Sequence, residues 1–491
     1  SGGAAGANGG GGDGVLAMGP GATVSNSGTI AGEANSVSFA ATGDVLIARA
    51  GAHFIGAIAG GGGTFELAGG RGTITGLGGA GVVSGSVSAS FGGFAHYAIG
   101  AKGSWTLGGV NAIAADQSLT FDGALDVTGR LSLAATRGTL TVDAGGSVVF
   151  SGLNEALAGT IAGAGTVAFT SGSVVFNEST LTAAHLTVSG AAVTLIGQIV
   201  QSGTLSLTRG HLAIGAGGAI LTGGGTLALS DSQANTVVGL SAADPLQNFN
   251  TISGAGMLGA GQMDLINRDD GVIVGSGANA LIIDTGANLI ANAGLIEATR
   301  AGGVVIDSVL LSSGLIEAAG GMLTVNARVI GLGQAAIAAG ALIFNGAFSQ
   351  NVTFSGTSGF LELAQSQGYG GSIAGFSKTG GTSLDLRDIA FKSAGEATFS
   401  GTASSGTLTV TDGTHTAHIT LIGDYLGSTF TASSDGHGGT TVIDPRTRAP
   451  SPHPLIAAMA SLGAGGASLE HLAAYRFHAS PTLLGPRTQL A

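Results

Sequence analysis

Short runs of alternating apolar and polar residues recur along most of the chain, and glycine-rich turns separate them. The pattern is clearest in residues 288–326, where the pentapeptide Gly-Leu-Ile-Glu-Ala occurs at Gly294–Ala298 and again at Gly314–Ala318, an offset of 314 − 294 = 20 residues. Each copy precedes a glycine step and a second apolar run. A strand, a turn, a strand and a turn repeated about every 20 residues predict a coil that stacks on its neighbours.

The same turn-then-strand form is found far from this stretch, since Asn26–Ile30 matches Asn292–Ile296. Most strand-like runs are roughly 3–6 residues long with about 5–12 residues between them, which fits either an array of β-sandwich strands or a solenoid. The recurrence of the pentapeptide after 20 residues favours the solenoid. We therefore predict an all-β chain whose main part is a right-handed parallel β-helix. If about 340 residues coil at roughly 20 per turn, it has about 17 turns.

Changes in this rhythm divide the chain into five predicted segments. Residues 231–250 interrupt it with polar residues and Pro245, which predicts a protruding loop or a boundary. After a Pro-rich hinge, helical spacing in Leu455–Leu462 and Ser468–Phe477 predicts a short helical tail, serving as a secretion signal or as a cap. The segments are a glycine-rich start at 1–21, a first solenoid part at 22–240, a second at 241–359, a C-terminal β module at 360–447 and the tail at 448–491.

The composition excludes several classes of protein. Glycine accounts for 93 of 491 residues, but there is no Gly-X-Y period and only 8 residues are proline, which excludes collagen. A chain that is 44% hydrophobic and 9% charged does not have the composition of a disordered protein. The net charge of −12, without Lys/Arg clusters, argues against nucleic acid as a partner. Cysteine is absent. No apolar run is long enough to predict a transmembrane helix.

Three carboxylates near one arginine are the candidate catalytic residues. Asp264, Asp269 and Asp270 surround Arg268, and clustered carboxylates supply acid and base in β-helical polysaccharide hydrolases. Such a site also needs further Asp, His and basic residues on adjacent coils. The nearest His-Gly pair begins at His437, in the later module. A charged solvent-exposed turn is the simpler interpretation.

Calcium is the candidate cofactor, with three candidate ligands. Glu297 and Glu317 are equivalent residues of the two pentapeptides, so an in-register repeat stacks them about 4.8 Å apart. Like charges at that distance repel unless they are solvated or share a cation. Asp435 lies in an Asp-Gly-His-Gly-Gly stretch that predicts a hairpin turn, with a calcium role as the alternative. His415 and His418 are three residues apart, on opposite faces of a strand, and predict no shared metal site.

The C-terminal module carries several motifs in a fixed order. They are Ser383–Phe391, Gly406–Ile422, Gly423–Phe430 and Ser434–Pro445. With these pieces the module resembles a C-terminal module of large secreted surface proteins of alphaproteobacteria, and the solenoid part resembles the same class of adhesin-like and haemagglutinin-like repeat proteins. The resemblance implies export to the cell surface or medium, often by a type I route with an uncleaved C-terminal signal, and implies no catalytic activity.

These observations predict a non-enzymatic extracellular structural protein that assembles head to tail into a surface fibre, matrix or layer. A solenoid ends in open strand edges, and uncapped edges pair with another chain. A head-to-tail contact that does not close into a ring propagates as a filament. The candidate assembly residues are Gly2, Gly9 and Val15 at the start of the chain, and Tyr425 and Phe430 in the C-terminal module.

Two alternatives remain open at this point. One is a monomeric adhesin that binds glycan or a host surface through side loops such as 231–250. The other is a polysaccharide-acting β-helix enzyme that uses Asp269 and Asp270.

Overall fold

The computed structural model describes residues 11–135, 137–152 and 154–445. This part of the chain is an all-β parallel β-solenoid of about 18 turns, which confirms the predicted fold class. Helical structure in it is confined to the short 3-10 helix Ser366–Gly368, and no described helix has the length and apolar character needed to span a membrane. The predicted helical tail, Gly2 and Gly9 lie outside the described residues.

Most coils contribute one short strand to each of three parallel sheets, which we name sheets I, II and III. Sheet I contains β2 (Thr23–Asn26), β4 (Val45–Ala48), β6 (Thr64–Leu67), β10 (His96–Ile99), β13 (Ser118–Phe121), β16 (Thr139–Val142), β19 (Thr160–Ala162), β22 (Thr180–Leu181), the second halves of β24 (Ala192–Gln201) and β26 (His211–Thr222), β29 (Pro245–Asn248), β32 (Asp264–Asn267), β35 (Ile290–Asn292), β38 (Leu310–Ser312) and β40 (Val329–Ile330).

Sheets II and III follow sheet I in each coil. Sheet II contains β11 (Gly103–Leu107), β14 (Ala124–Val127), β17 (Ser147–Phe150), β20 (Thr166–Phe169), β23 (His185–Val188), β25 (Thr204–Leu207), β27 (Thr226–Leu229), β30 (Thr251–Gly254), β33 (Val272–Gly275), β36 (Leu295–Ala298), the first halves of β39 (Leu315–Val325) and β41 (Gln334–Phe344), β42 (Asn351–Phe354) and β44 (Ser372–Ala374). Sheet III contains β12 (Val110–Ile113), β15 (Arg130–Leu133), β18 (Asn154–Leu157), β21 (Ser173–Asn177), the first halves of β24 and β26, β28 (Thr236–Gly239), β31 (Gly256–Gly259), β34 (Leu281–Ile283), β37 (Val304–Ile306), the second halves of β39 and β41, β43 (Gly359–Leu363) and β45 (Thr382–Leu386).

The first coils differ from this plan. A stack of parallel strands is formed by β1 (Val15–Ala17), β3 (Thr29–Phe39), β5 (His53–Ala59) and β9 (Ser88–Gly92). A meander interrupts the parallel order, because β8 (Gly81–Gly85) pairs antiparallel with both β9 and β7 (Gly70–Thr75). Parallel order resumes where β7 pairs with β11.

Alternation of side chains along each strand builds the core. In the two pentapeptides, Ile296 and Ile316 are directly paired and point inward, where both are fully buried, as are Ala298 and Ala318. Because successive side chains point to opposite faces of a strand, the leucines and glutamates between them point outward. The narrow core is therefore a column of aliphatic residues stacked coil on coil.

The single glycine of each pentapeptide allows the coils to approach closely at the turn between sheets I and II. A Cβ on Gly294 would lie 2.1 Å from the carbonyl oxygen of Gly271, and a Cβ on Gly314 would lie 2.1 Å from that of Gly294. Either contact would push neighbouring backbones apart. Glycine is required at these turns because of this contact rather than because of an unusual φ.

Residues 231–250 lie within the solenoid, so the prediction of a protruding loop was wrong. β28 and β29 both pair in parallel with strands of the coils on either side. Pro245 is the first residue of β29, where a missing backbone N–H is tolerated. The polar residues that broke the apolar rhythm include Asn248 and Asn250, whose side chains are buried in the interior.

Antiparallel hairpins follow the last parallel strands. Parallel pairing continues through β43, β44 and β45, so residue 360 lies inside the parallel part. We name residues 387–445 the C-terminal cap. The cap strands are β46 (Ala397–Gly401), β47 (Ser405–Thr411), β48 (Thr416–Ile422), β49 (Thr431–Ser434) and β50 (Thr440–Ile443). β48 extends sheet II by pairing with β44, and β50 pairs antiparallel with β45 of sheet III.

Candidate functional site

The two glutamates of the pentapeptides are neighbours on the outer face of sheet II. Glu297 and Glu317 are directly paired in the parallel ladder, and the residues paired on their outer sides are Val274 and Ala336. Partial burial raises the pKa of Glu297, and the negative charge of Glu317 raises it further. The predicted stacking of the two carboxylates is therefore confirmed, and it is unfavourable when both are ionised.

We expect Glu317→Gln to stabilise the protein at neutral pH by about 0.2–1 kcal/mol, because it removes a like-charge cross-strand pair. Thermal unfolding measures the effect. Glu66→Gln is the matched control, since Glu66 lies on the outer face of sheet I between Ile47 and Ala98. The same experiment tests calcium bridging: calcium should raise the melting temperature of the parent but not of Glu317→Gln, and no effect on the parent removes that hypothesis.

The three candidate catalytic carboxylates do not converge. Asp264 begins β32, whereas Asp269 and Asp270 lie in the exposed turn after it. Asp269 lines a groove on sheet II beside Leu295, and Asp270 lines a different groove beside Phe249. The guanidinium of Arg268 donates a hydrogen bond to Gln247 Oε1 at 2.6 Å. The pair of opposed carboxylates that glycoside hydrolysis requires is not formed by these residues.

Asp435 shapes a hairpin turn. Its Oδ1 atom accepts hydrogen bonds from the N–H groups of His437, at 2.6 Å, and Gly439, at 2.8 Å. The turn joins β49 to β50, as the Asp-Gly-His-Gly-Gly stretch predicts. Nearby, Asp385 is only 5% exposed, and its Oδ1 atom has no hydrogen-bond partner. Burial raises the pKa of Asp385 to about 7, and the charges of Asp435 and Glu362 add to the shift.

The two histidines of the β47–β48 hairpin contact different partners. His415 Nδ1 lies 3.0 Å from Asp412 Oδ2 at the hairpin turn, and backbone and side-chain hydrogen bonds from His415 hold the pKa of Asp412 well below its usual range. His418 Nδ1 lies 3.3 Å from Thr409 Oγ1. Within the described residues, no group of three or more His, Asp or Glu side chains is placed to hold a metal ion.

The candidate assembly residues of the cap are interior residues. Tyr425 is 3% exposed and Phe430 is 8% exposed. Their rings pack against each other and against Phe399, and the Tyr425 hydroxyl donates to the carbonyl of Phe376 at 2.9 Å. Any part they have in assembly therefore acts through the shape of the cap. Val15, in contrast, is half-buried in β1 at the first described coil.

A ladder of buried amides runs through the turn between sheets I and II, and the sequence pattern did not reveal it. We name Asn248, Asn267, Asn292 and Ser312 the amide ladder; each is at most 2% exposed. Asn248 Nδ2 donates to Asn267 Oδ1 at 2.9 Å, and Asn267 Nδ2 donates to Asn292 Oδ1 at 2.8 Å. Asn292 Nδ2 then donates to Ser312 Oγ at 3.2 Å. Each member ends a strand of sheet I, so the ladder ties one coil to the next inside the apolar core.

Part of the signal for this ladder lies in the match between Asn26–Ile30 and Asn292–Ile296, where an asparagine stands two residues before a glycine. Asn26 ends β2 of sheet I, just as Asn292 ends β35, so the match between Asn26–Ile30 and Asn292–Ile296 reflects one turn position. Asn26 Oδ1 accepts a hydrogen bond from the Gly28 N–H at 2.9 Å. Alternation alone assigns these residues to the inner face, but their polarity favours an outer position.

Glu155 is a buried acid in sheet III. It is 3% exposed, its Oε2 atom accepts a hydrogen bond from the Leu131 N–H at 2.6 Å, and its Oε1 atom has no partner. Burial raises the pKa of Glu155 to about 7, although the hydrogen bond and the charge of Arg130 oppose the shift. A protonated carboxyl is thus the form that the interior favours.

A groove of about 580 Å³ lies beside the N-terminal meander and offers little chemistry. Its lining residues are mainly glycine and alanine of β5, β9 and the turns around them, with Phe91 and Val82. None of its lining residues is ionisable. It therefore has no group that could transfer a proton.

The fold defines a rod of the parallel β-solenoid class, built from stacked coils. Comparisons with protein family models, with curated proteins and with solved structures found no match. The resemblance of residues 383–445 to a secreted surface-protein module therefore stays a prediction, and so does the absence of enzymatic activity.

Proposed function

We propose that this chain is a non-enzymatic extracellular structural protein that assembles head to tail into a fibre, matrix or layer. The observation that carries the proposal is the presence of one-sided strands at both ends of the described rod. Among the described strands, β1 pairs only with β3 and β2 only with β4, while β46 pairs only with β47. A strand paired on one side presents backbone N–H and C=O groups to another chain.

The N-terminal coil also presents apolar side chains. Leu16 is 56% exposed and Met18 is 80% exposed. Val24 is half-buried, whereas Leu46, its partner in the next coil, is fully buried. Burying such residues against a second chain is favourable by about 25 cal/mol per Å² of apolar area. Strand addition at this end would thus combine backbone hydrogen bonds with apolar burial.

The two ends differ in structure, which supports a polymer rather than a closed pair. The first coil ends in parallel strands, and the cap ends in antiparallel hairpins. A contact between unlike ends is heterologous, and it continues into a filament when the rotation does not close.

We expect the double variant Leu16→Lys/Met18→Lys to stop end-to-end assembly, because lysines at an edge strand oppose strand addition. Negative-stain images and sedimentation of the purified full chain at increasing concentration measure this. The matched control is Leu240→Lys, which changes an apolar residue that is 63% exposed and lies between β28 and β29. It should leave the filaments intact.

A parent chain that stays monomeric at high concentration would contradict the assembly proposal. If that monomer bound immobilised glycans, the adhesin interpretation would replace it.

A further inference from the structure

The outer face of sheet I carries an apolar patch across four consecutive coils. We name it the sheet I patch. It consists of Ile266, Ala291, Leu311 and Ile330, on β32, β35, β38 and β40, and of Leu289 and Val309, which immediately precede β35 and β38. Leu289 is 43% exposed and Leu311 is 40% exposed. Such leucines on the outside of a strand do not contribute to the core of their own chain.

The patch has two rows of residues along the rod. In one row Ile266, Ala291, Leu311 and Ile330 are paired directly in the parallel ladder. The other row lies two residues earlier in the chain. It contains Asp264, the first residue of β32, and Leu289, Val309 and Arg328, which immediately precede β35, β38 and β40. Its alignment follows from the same register and from the hydrogen bonds of the Ile290 N–H to the Val309 carbonyl, at 2.9 Å, and of the Leu310 N–H to the Arg328 carbonyl, at 3.1 Å.

Opposite charges stand at the two ends of the second row. Asp264 is half-buried at one end, and Arg328 is exposed at the other. Three steps between neighbouring strands separate them, about 14 Å at about 4.8 Å per step. Neither side chain forms an ion pair with another described residue. Each charge is therefore available to a partner that lies on the patch.

We propose that the sheet I patch binds a second copy of this chain, with the two rods side by side and antiparallel. A two-fold axis along the strand direction reverses the order of coils and keeps each row opposite itself. Asp264 then faces Arg328 of the second copy, and Leu289 faces Val309. In the other row Ile266 faces Ile330 and Ala291 faces Leu311. The two-fold axis produces the Asp264–Arg328 pair twice.

Other arrangements lack this complementarity. In parallel rods, each row would lie opposite the other row, so that Asp264 would face Ile266 and remain unpaired. An antiparallel pairing through sheet II, centred on the pentapeptides, would bring Glu297 of one copy over Glu317 of the other. Like charges facing each other across an interface cost several kcal/mol. The charges therefore favour sheet I and the antiparallel order.

The size of the patch indicates a weak contact between two single chains. Four strands and about three residues of each cover on the order of 200–300 Å² per copy, below the roughly 800 Å² of a standard interface. Repetition along a filament would multiply the contact and raise the avidity. That use of the patch, the lateral pairing of filaments, rests on the proposed head-to-tail assembly, whereas the contact itself does not.

Charge reversal tests the contact directly. In a background of Leu16→Lys/Met18→Lys, sedimentation equilibrium at low ionic strength reports lateral association without end-to-end growth. Asp264→Arg alone and Arg328→Asp alone should each weaken self-association about tenfold or more, because like charges then face each other. The double variant Asp264→Arg/Arg328→Asp should restore it.

A mixture of the two single variants gives the sharpest result. One variant then carries arginine at both positions and the other carries aspartate at both, so the mixed pair has two favourable contacts while each variant alone has two repulsive ones. We expect association in the mixture only. Glu66→Arg, on the same face but outside the patch, is the control and should behave as the parent.

Single variants that associate as the parent does, or a mixture that stays dissociated, would overturn the lateral contact. Images of the chain with native ends separate the two proposals. Filaments that stay unpaired in every variant contradict the lateral contact alone, whereas paired rods without filaments contradict head-to-tail assembly alone.

Discussion

Replacing Asn267 by aspartate is expected to lower the free energy of unfolding by about 3–5 kcal/mol, the usual effect of an uncompensated buried charge. The Asn267 Nδ2 atom donates to Asn292 Oδ1, to the Gly271 carbonyl at 3.1 Å and to the Leu295 carbonyl at 3.2 Å. An ionised carboxylate has no hydrogen to donate and would face these three oxygen atoms. Differential scanning calorimetry measures the change, and hydrogen exchange over residues 264–298 locates it.

The matched control for this prediction is Asn345→Asp. Asn345 belongs to a similar chain of side-chain hydrogen bonds at the outer edge of sheet III, where it donates to Asn326 Oδ1 at 2.7 Å and accepts from Arg387 at 3.0 Å. That chain is open to water, so a new carboxylate stays solvated beside a guanidinium. We expect a change below about 1 kcal/mol there. Equal losses at Asn267 and Asn345 would contradict a stabilising role for the buried ladder.

The second large effect is a fall in stability as the pH rises from about 5 to about 8. The pKa of Glu155 is about 7 in the folded chain and 4.5 in its ordinary state. Between these values the folded chain holds a proton that the unfolded chain has lost. The contribution of Glu155 to the free energy of unfolding is therefore largest below pH 4.5, and it is lost as the pH rises through 7. Glu155 alone should account for about 2 kcal/mol of the fall.

Glu155→Gln should flatten this pH dependence, because an amide fills the same space without titrating. Asp385→Asn should act in the same direction, since the pKa of Asp385 is also raised to about 7. Glu66→Gln, on the outer face of sheet I, should keep the slope of the parent. Melting temperatures of the parent and the three variants between pH 5 and pH 8 provide the measurement. A parent that is equally stable at both limits would refute the prediction.

The sequence was sufficient to predict the solenoid because two of its signals are local. In Gly294–Ala298 each residue type matches its place in the structure. The glycine lies at the close turn, the isoleucine and the alanine point into the core, and the leucine and the glutamate point outward. Its exact repeat at Gly314–Ala318 fixes the distance to the next coil. The stacking of Glu297 on Glu317 follows from these two facts alone.

Interior polar residues explain where sequence reasoning was wrong. Polar residues such as Asn248 and Asn250 are typical of a loop, but the side-chain amides of both form hydrogen bonds inside the rod. The burial of Glu155 could not be predicted, because the alternation of inner and outer positions in one short strand is weak evidence for placing a single acidic side chain in the core. Tyr425 and Phe430 are predicted to be contact residues, but the aromatic side chains of a small cap also fill its core, and both are buried there.

The in-register ladders have a consequence for the length of the chain. Directly paired residues are close in sequence wherever the parallel part is regular: Ile290 pairs with Leu310, and Glu297 pairs with Glu317, each 20 residues away. The entropy of closing a loop depends on that separation and not on the total length. Inserting one more coil therefore makes no existing contact harder to form. A gene for such a rod can gain or lose a whole coil by duplication or deletion without slowing the folding of the rest. Two identical pentapeptides on neighbouring coils are what a duplication of this kind would leave.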